Sequence, residues 1–150
     1  MKKQQLVTRK ILAYTQDEAL QKINKEIPSG MLPKVVVLNV GTNDVRDRVD
    51  ADSIVEKYTR LTDQLTKKFP LTKIILSNIV PREDNAELQR NVEYINAATN
   101  RKLATKLAVI RNTDLVGRNL KAKDGIHLTT TGVSKLACSI RDAVVAALEL

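Results

Sequence analysis

The chain has one cysteine, one histidine and no long apolar run, and each scarcity excludes a class of protein. Cys138 has no partner for a disulfide within the chain, so we expect a reducing, cytoplasmic environment. No apolar run approaches the roughly 20 residues that span a bilayer, and no apolar core follows the basic start at Met1. Scattered carboxylates beside one histidine supply no cluster of metal ligands. No glycine-rich phosphate loop is present, so we expect no cofactor.

Aromatic residues are also few, whereas basic residues are in excess. Three tyrosines and one phenylalanine leave little surface for stacking the bases of a single strand. A formal net charge of +8 nevertheless raises nucleic acid as a partner. Acidic residues are interleaved with the basic ones, which favours a solvated basic surface. Binding of RNA or DNA is therefore kept as the alternative function.

A chain of 150 residues, 43% of them hydrophobic, is the size of one domain with its own core. Short apolar runs of the kind that parallel strands bury on both faces occur at 35–40, 73–80 and 107–110, and a weaker one occurs at 4–12. Apolar residues at steps of three and four predict helices from Thr15, over 53–69 and 86–106, and from Thr131 onwards. This alternation predicts an α/β fold with a parallel sheet and helices on both faces.

Two local patterns refine the predicted helices. Thr15 and Glu18 have the spacing of a capping box, which predicts a helix start. In the last helix an apolar stripe predicts a buried inner face, on which Cys138 would be a packed thiol. The members of that stripe are Val133, Leu136, Ala137, Ile140, Val144 and Leu148.

Polar residues follow the first of the buried strands. The strand at 35–40 ends at Gly41, and Thr42, Asn43 and Asp44 come next. In open α/β sheets ligands bind beyond the carboxyl ends of the strands, so these residues are candidates for a site. The same residue types favour an ordinary turn for local reasons. The tetrapeptide alone leaves both interpretations open.

The only histidine, His127, lies three residues after Asp124 and ahead of the last helix. This spacing lets the carboxylate reach Nδ1–H of the imidazole, fix its tautomer and stabilise the imidazolium. A lone histidine more often has no chemical role. Paired with a carboxylate beyond the last strand, it becomes a candidate general base.

Two sequence blocks together resemble the SGNH hydrolase superfamily, also called GDSL-type esterases and lipases. The G-T-N-D run at 41–44 is similar to the family's G-x-N-D block, and the D-G-I-H run at 124–127 to its D-x-x-H block. The segment 77–82 and the Ile-Asn pair at 95–96 resemble members encoded in animal retroelements. The resemblance covers residues 10 to 148, and both blocks occur in the family's order, each after a strand.

The resemblance implies a fold and a reaction. The fold is a three-layer, flavodoxin-like α/β/α sandwich, expected here as a single domain over residues 1–150. The reaction is hydrolysis of a small carboxylic acyl ester by a Ser-His-Asp mechanism, without a bound cofactor or metal.

The resemblance also implies roles for individual residues. Asn43 would donate its side-chain amide to the oxyanion of a tetrahedral intermediate, a contact worth roughly 10²–10³ in rate. His127 would act as the general base, and Asp124 would orient it. The residues implied to bind substrate are Gly41, Thr42 and Asp44.

The family's nucleophile has no counterpart in this sequence. It belongs to a G-D-S block on the first strand, and no such block is present. The glycine of the family's second block is not evident around 13–15 either. The serines of the chain are Ser29, Ser53, Ser77, Ser134 and Ser139. None is placed convincingly, so we expect a loss of activity on the order of 10⁶.

The missing first strand also has a structural consequence. Either the segment at 6–12 pairs with the strand at 35–40, or a partner chain supplies a strand, because an open apolar edge invites association. The leading hypothesis is an SGNH-type domain that is inactive or a fragment of a longer enzyme. Two alternatives use the same fold, a module that binds RNA or DNA and a scaffold that self-associates through the sheet edge.

Overall fold

A computed structural model describes residues 11–28 and 30–149. Within them, helices and strands alternate in the order α1 (Gln16–Glu26), β1 (Val35–Leu38), α2 (Thr42–Arg46), α3 (Ala51–Lys68), β2 (Lys73–Ser77), α4 (Ala86–Leu103), β3 (Ala108–Ile110) and α5 (Thr130–Glu149). The predicted strand at 4–12 lies mostly outside the described residues, and Ile11 and Leu12 are not in a strand.

The three described strands form one parallel sheet in the order β1-β2-β3. Val36 of β1 is opposite Ile74 of β2, and Leu76 of β2 is opposite Val109 of β3. All the carboxyl ends therefore lie at one edge of the sheet. Among the described residues β2 is the central strand, so β1 has one side without a strand partner.

One face of the sheet carries the main core. Val36, Leu38, Ile74 and Leu76 occupy alternate strand positions and belong to one cluster with the buried faces of α1, α3 and α4. Helix α3 contributes the buried apolar residues Ile54, Val55, Tyr58, Leu61 and Leu65. Their spacing is the three-and-four pattern that the sequence predicted for this helix.

The opposite face of the sheet is covered by α5, which contacts all three strands. The predicted inner stripe of this helix is buried only in part: Leu136, Ile140 and Val144 are half-buried, whereas Val133 and Leu148 are exposed, and Gly132 is the only fully buried residue within α5. Cys138 is exposed rather than packed. The reason is geometric: α1, α3 and α4 pack on the other face of the sheet, so among the described helices none packs against the outer side of α5.

Polar caps begin the helices. The Thr15 hydroxyl accepts a hydrogen bond from the backbone N–H of Glu18 at 3.2 Å, as the capping pattern predicts. The carboxylate of Asp50 accepts from the N–H of Ser53 at 3.1 Å, so α3 begins two residues before the predicted start.

Two further predicted helix boundaries were wrong. The last helix is capped by Thr129 rather than Thr131, since the Thr129 hydroxyl accepts from the N–H of Gly132 at 3.1 Å. Helix α4 ends at Leu103 instead of continuing to residue 106. The run at 41–44 is not a simple turn, because it opens the short helix α2.

Candidate active site

The two sequence blocks lie at the same edge of the sheet. The run at 41–44 follows the carboxyl end of β1. The loop at 124–127 contacts the segment that follows β2, where the backbone N–H of Glu83 donates to the carbonyl of Gly125 at 2.8 Å. Because β1 and β2 are parallel, both blocks lie at the carboxyl edge, where open α/β sheets bind their ligands.

His127 and Asp124 form a hydrogen-bonded pair. Nδ1 of His127 lies 2.5 Å from Oδ2 of Asp124. The other carboxylate oxygen accepts the backbone N–H groups of Ile126 at 2.9 Å and His127 at 3.0 Å. The bond to the His127 ring, followed by these two N–H groups, lowers the pKa of Asp124 to about 2. An ionised carboxylate can only accept, so Nδ1 carries the hydrogen and Nε2 is left as a proton acceptor.

The ring of His127 faces solvent, with 78% of its side chain exposed. Of the hydrogen bonds within the described residues, none joins this ring to a serine hydroxyl. Ser77 is buried at the end of β2, where its hydroxyl accepts from the amide of Asn112 at 2.9 Å. Ser29 lies outside the described part of the chain.

Gly125 shapes the loop between the two members of the pair. Its φ of +69° is in the region that glycine adopts at little cost. A Cβ atom there would lie 2.7 Å from the carbonyl carbon of Glu83 and 2.8 Å from the backbone nitrogen of Asp84. Two separate features therefore require glycine at position 125: the positive φ angle and the close approach of the segment after β2.

Asn43 lies at a small cavity on the same edge. The cavity has a volume of about 170 Å³, and its lining includes Ala13, Tyr14, Asn39, Asn43, Ile79 and Val80. The Asn43 amide donates one hydrogen to the carbonyl of Tyr14 at 2.8 Å. Since a primary amide has two N–H groups, the second remains to meet a ligand oxygen. His127 is not part of the cavity lining.

Gly41 allows the chain to turn from β1 into α2. Its φ is +129°, and the space of a Cβ atom is taken by the hydroxyl of Tyr58 and the side chain of Ile79. Tyr58 is fully buried and donates its hydroxyl hydrogen to the carbonyl of Val40. Burial raises the pKa of Tyr58 far above its usual value, so this donor does not ionise.

Asp44 points into the protein. Its carboxylate is buried and accepts the backbone N–H of Gln16 at 3.1 Å, which joins the start of α1 to α2. Burial raises the pKa of this carboxyl, while the bond from Gln16 lowers it. These contacts support the backbone beside Asn43. Substrate binding by Gly41, Thr42 and Asp44 stays a prediction.

Several residues that hold the site in place were missed by sequence reasoning. Asn96 accepts the N–H of Ile79 and donates to its carbonyl, both at 3.0 Å, so it fixes one wall of the cavity. Arg82 is buried in a two-bond ion pair with Asp84, at 3.1 and 2.8 Å. An asparagine on the inner side of an amphipathic helix was the available signal for Asn96. No pattern in the sequence indicates that the Arg82 side chain is buried.

Comparison with known proteins identifies the class. The model of the GDSL-like lipase/acylhydrolase family matches residues 5–134, so the chain belongs to this family. No curated protein matches the sequence.

Solved structures share the fold. A carbohydrate esterase family 3 structure from Talaromyces cellulolyticus has a TM-score of 0.73 and 22% identity, over 92% of this chain and 70% of that one. A GDSL-like lipase from Bacteroides thetaiotaomicron has a TM-score of 0.67 and 21% identity, over 89% of this chain and 72% of that one. The predicted superfamily and the α/β sandwich with a parallel sheet are thereby confirmed.

Other predictions stay open. The likeness to retroelement-encoded members is not borne out by these matches, and nothing in them supports nucleic-acid binding or self-association. Of the helices in residues 11–28 and 30–149, none combines the length and the apolar content that crossing a bilayer requires. The cytoplasmic location stays a prediction.

Proposed function

We propose that this chain carries the proton-transfer and oxyanion-binding half of a site for small acyl esters. Nε2 of His127 takes a proton from an attacking hydroxyl, and Asp124 stabilises the imidazolium that forms. The free N–H of Asn43 donates to the oxyanion of the tetrahedral intermediate. The cavity of about 170 Å³ beside Asn43 has room for a short acyl group rather than a long chain.

The observation that carries this proposal is the 2.5 Å contact between His127 and Asp124. The carboxylate that holds the ring is itself fixed by two backbone N–H groups, so the imidazole is kept in one orientation, which a histidine without a chemical role does not need. The pair leaves Nε2 exposed at the edge of the sheet where Asn43 lies, and family membership gives the arrangement a chemical context.

We further infer that none of the serines in the described part of the chain takes the nucleophile's place. Ser77 is buried and already hydrogen-bonded. Ser53 lies at the start of α3 beside Asp50, and Ser134 and Ser139 belong to α5. Without a serine hydroxyl to deprotonate, His127 contributes little, so the remaining rate comes from binding and from the Asn43 amide.

Hydrolysis of 4-nitrophenyl acetate tests both parts. We expect the native chain to exceed the buffer rate only modestly. A His127→Ala variant should match the native chain, whereas Asn43→Ala should lose most of the excess over the buffer rate, since the oxyanion donor is expected to supply it. Leu71→Ala, a change at an exposed side chain of the loop before β2, is the control and should behave as native.

Two outcomes would contradict the proposal. If all four proteins hydrolyse the ester at the buffer rate, the chain has no acyl-ester site. If the native chain is fast and His127→Ala abolishes turnover, a nucleophile is present and its inferred absence is wrong.

A further inference from the structure

A buried lysine lies beneath the loop that holds the histidine. Lys121 is only 5% exposed, and its Nζ donates to the carbonyl of Ile126 at 3.0 Å. Its backbone forms an antiparallel bridge with Leu128, at the far end of the same loop. The N–H of Ala122 donates to the carbonyl of His127 at 2.8 Å. The loop at 121–128 is therefore closed by backbone bonds and anchored from inside by an ammonium group.

The anchor acts on one particular peptide group. The carbonyl of Ile126 and the N–H of His127 belong to the same planar peptide and point in opposite directions. Lys121 holds the carbonyl, and Asp124 accepts the N–H at 3.0 Å. Fixing this plane from both sides fixes the backbone from which the imidazole extends.

Charged groups surround the ammonium. Arg82, Glu83 and Asp84 face it from the segment after β2, and Asp124 faces it from its own loop. Burial lowers the pKa of Lys121, and the three carboxylates oppose that effect. Arg82 is itself buried against Asp84 and has an Nη1 atom without a hydrogen-bond partner in the described residues. Burying a cation lowers the stability of a fold unless its hydrogen bonds and ion pairs offset the loss of hydration. If position 121 served packing alone, an apolar side chain would therefore be more stable there.

We propose that Lys121 is a positioning residue for His127, acting through the Ile126 carbonyl to keep the imidazole on Asp124. Its importance for catalysis depends on the proposed function, but its effect on the ring does not. The structural claim and the acyl-ester claim can therefore fail separately.

The first test uses the unaltered chain and NMR. Because the chain has one histidine, its ring gives a single set of ¹⁵N signals. We expect the Lys121 side-chain amino group to give a slowly exchanging signal with nuclear Overhauser contacts to Ile126. We also expect the neutral ring to carry its hydrogen on Nδ1. A Lys121 amino group in fast exchange with water, or without contact to Ile126, would overturn the proposal whatever any variant does.

The second test removes the ammonium while keeping an unbranched side chain. In Lys121→Met the ring should lose its Nδ1–H preference, and the pKa of Asp124 should rise from about 2 towards the usual value of roughly 3.9. Lys123→Met removes an exposed lysine two residues away and should leave both signals unchanged. A folded Lys121→Met chain with native ring and Asp124 signals would contradict the proposal. If that variant does not fold, the measurement on the unaltered chain decides.

Discussion

At the scale of single residues, the site depends on a few contacts between the loop at 124–127 and its neighbours. The Asp124 and His127 pair could be predicted because both members lie in one short loop, where spacing alone determines whether side chains can meet. The burial of Lys121 and Arg82 could not be predicted, because it depends on segments about 40 residues apart in the chain that only the fold brings together. Nothing in the sequence distinguishes a buried lysine or arginine from the many exposed ones that are spread along the chain.

Lowering the pH should remove the contribution of Asp124 in a defined range. Its folded pKa of about 2 lies below the roughly 3.9 of an unfolded chain. A carboxyl with a lowered folded pKa stabilises the fold above the unfolded value, and this stabilisation disappears as the pH falls through the folded pKa. The difference in unfolding free energy between the native chain and Asp124→Asn should shrink as the pH falls from about 4 to about 2. Urea denaturation at a series of pH values measures this difference in unfolding free energy. A difference that does not change with pH would contradict the lowered pKa assigned to Asp124.

Replacing Gly125 by alanine should be costly. The positive φ and the contacts of 2.7 and 2.8 Å with the segment after β2 act together, so we expect a loss of about 2–4 kcal/mol in unfolding free energy. Gly30→Ala is the matched control, because no atom lies within 4 Å of the added methyl. Chemical denaturation of both variants checks the prediction. Equal stabilities would show that the loop adapts and that the close approach is not required.

At the scale of helices and strands, periodicity predicted which elements exist better than it predicted where they end. The strands at β1, β2 and β3 and the buried face of α3 follow from apolar patterns that depend on local sequence. The burial of α5 could not be obtained in this way. Its apolar stripe is real, but whether a stripe is buried depends on the neighbours that the fold provides.

The buried face of α3 gives a prediction at this scale. Leu65→Ala removes a side chain with no exposed surface from the core between α3 and the sheet, and should lower the unfolding free energy by about 2–5 kcal/mol. Leu71→Ala removes the same atoms from a side chain that is 97% exposed, and should change it by less than about 0.5 kcal/mol. Denaturation curves of the two variants compare them directly. A similar effect for both would mean that the core is not where the structure places it.

At the scale of the whole molecule, both edges of the described sheet and one helix face are without a covering element among the described residues. The edges are the free sides of β1 and β3, and the helix face is the outer side of α5 with its exposed Val133 and Val145. Association through the sheet edge stays a prediction from the sequence, because open edges pair readily with other strands. Light scattering over a range of concentrations tests it. A mass that rises above that of one chain is expected, and a constant monomer mass would contradict the prediction.

The central claim is that Asn43 and His127 serve one ligand at the carboxyl edge of the sheet. The most direct measurement is an NMR titration of the ¹⁵N-labelled chain with methyl acetate, which needs no catalysis. We expect the signals of the Asn43 side-chain amide and the His127 ring to shift together and to saturate at one ester concentration, and we expect Asn43→Ala to abolish the shift of the ring. Saturation at unrelated concentrations, or shifts confined to other surfaces, would contradict it.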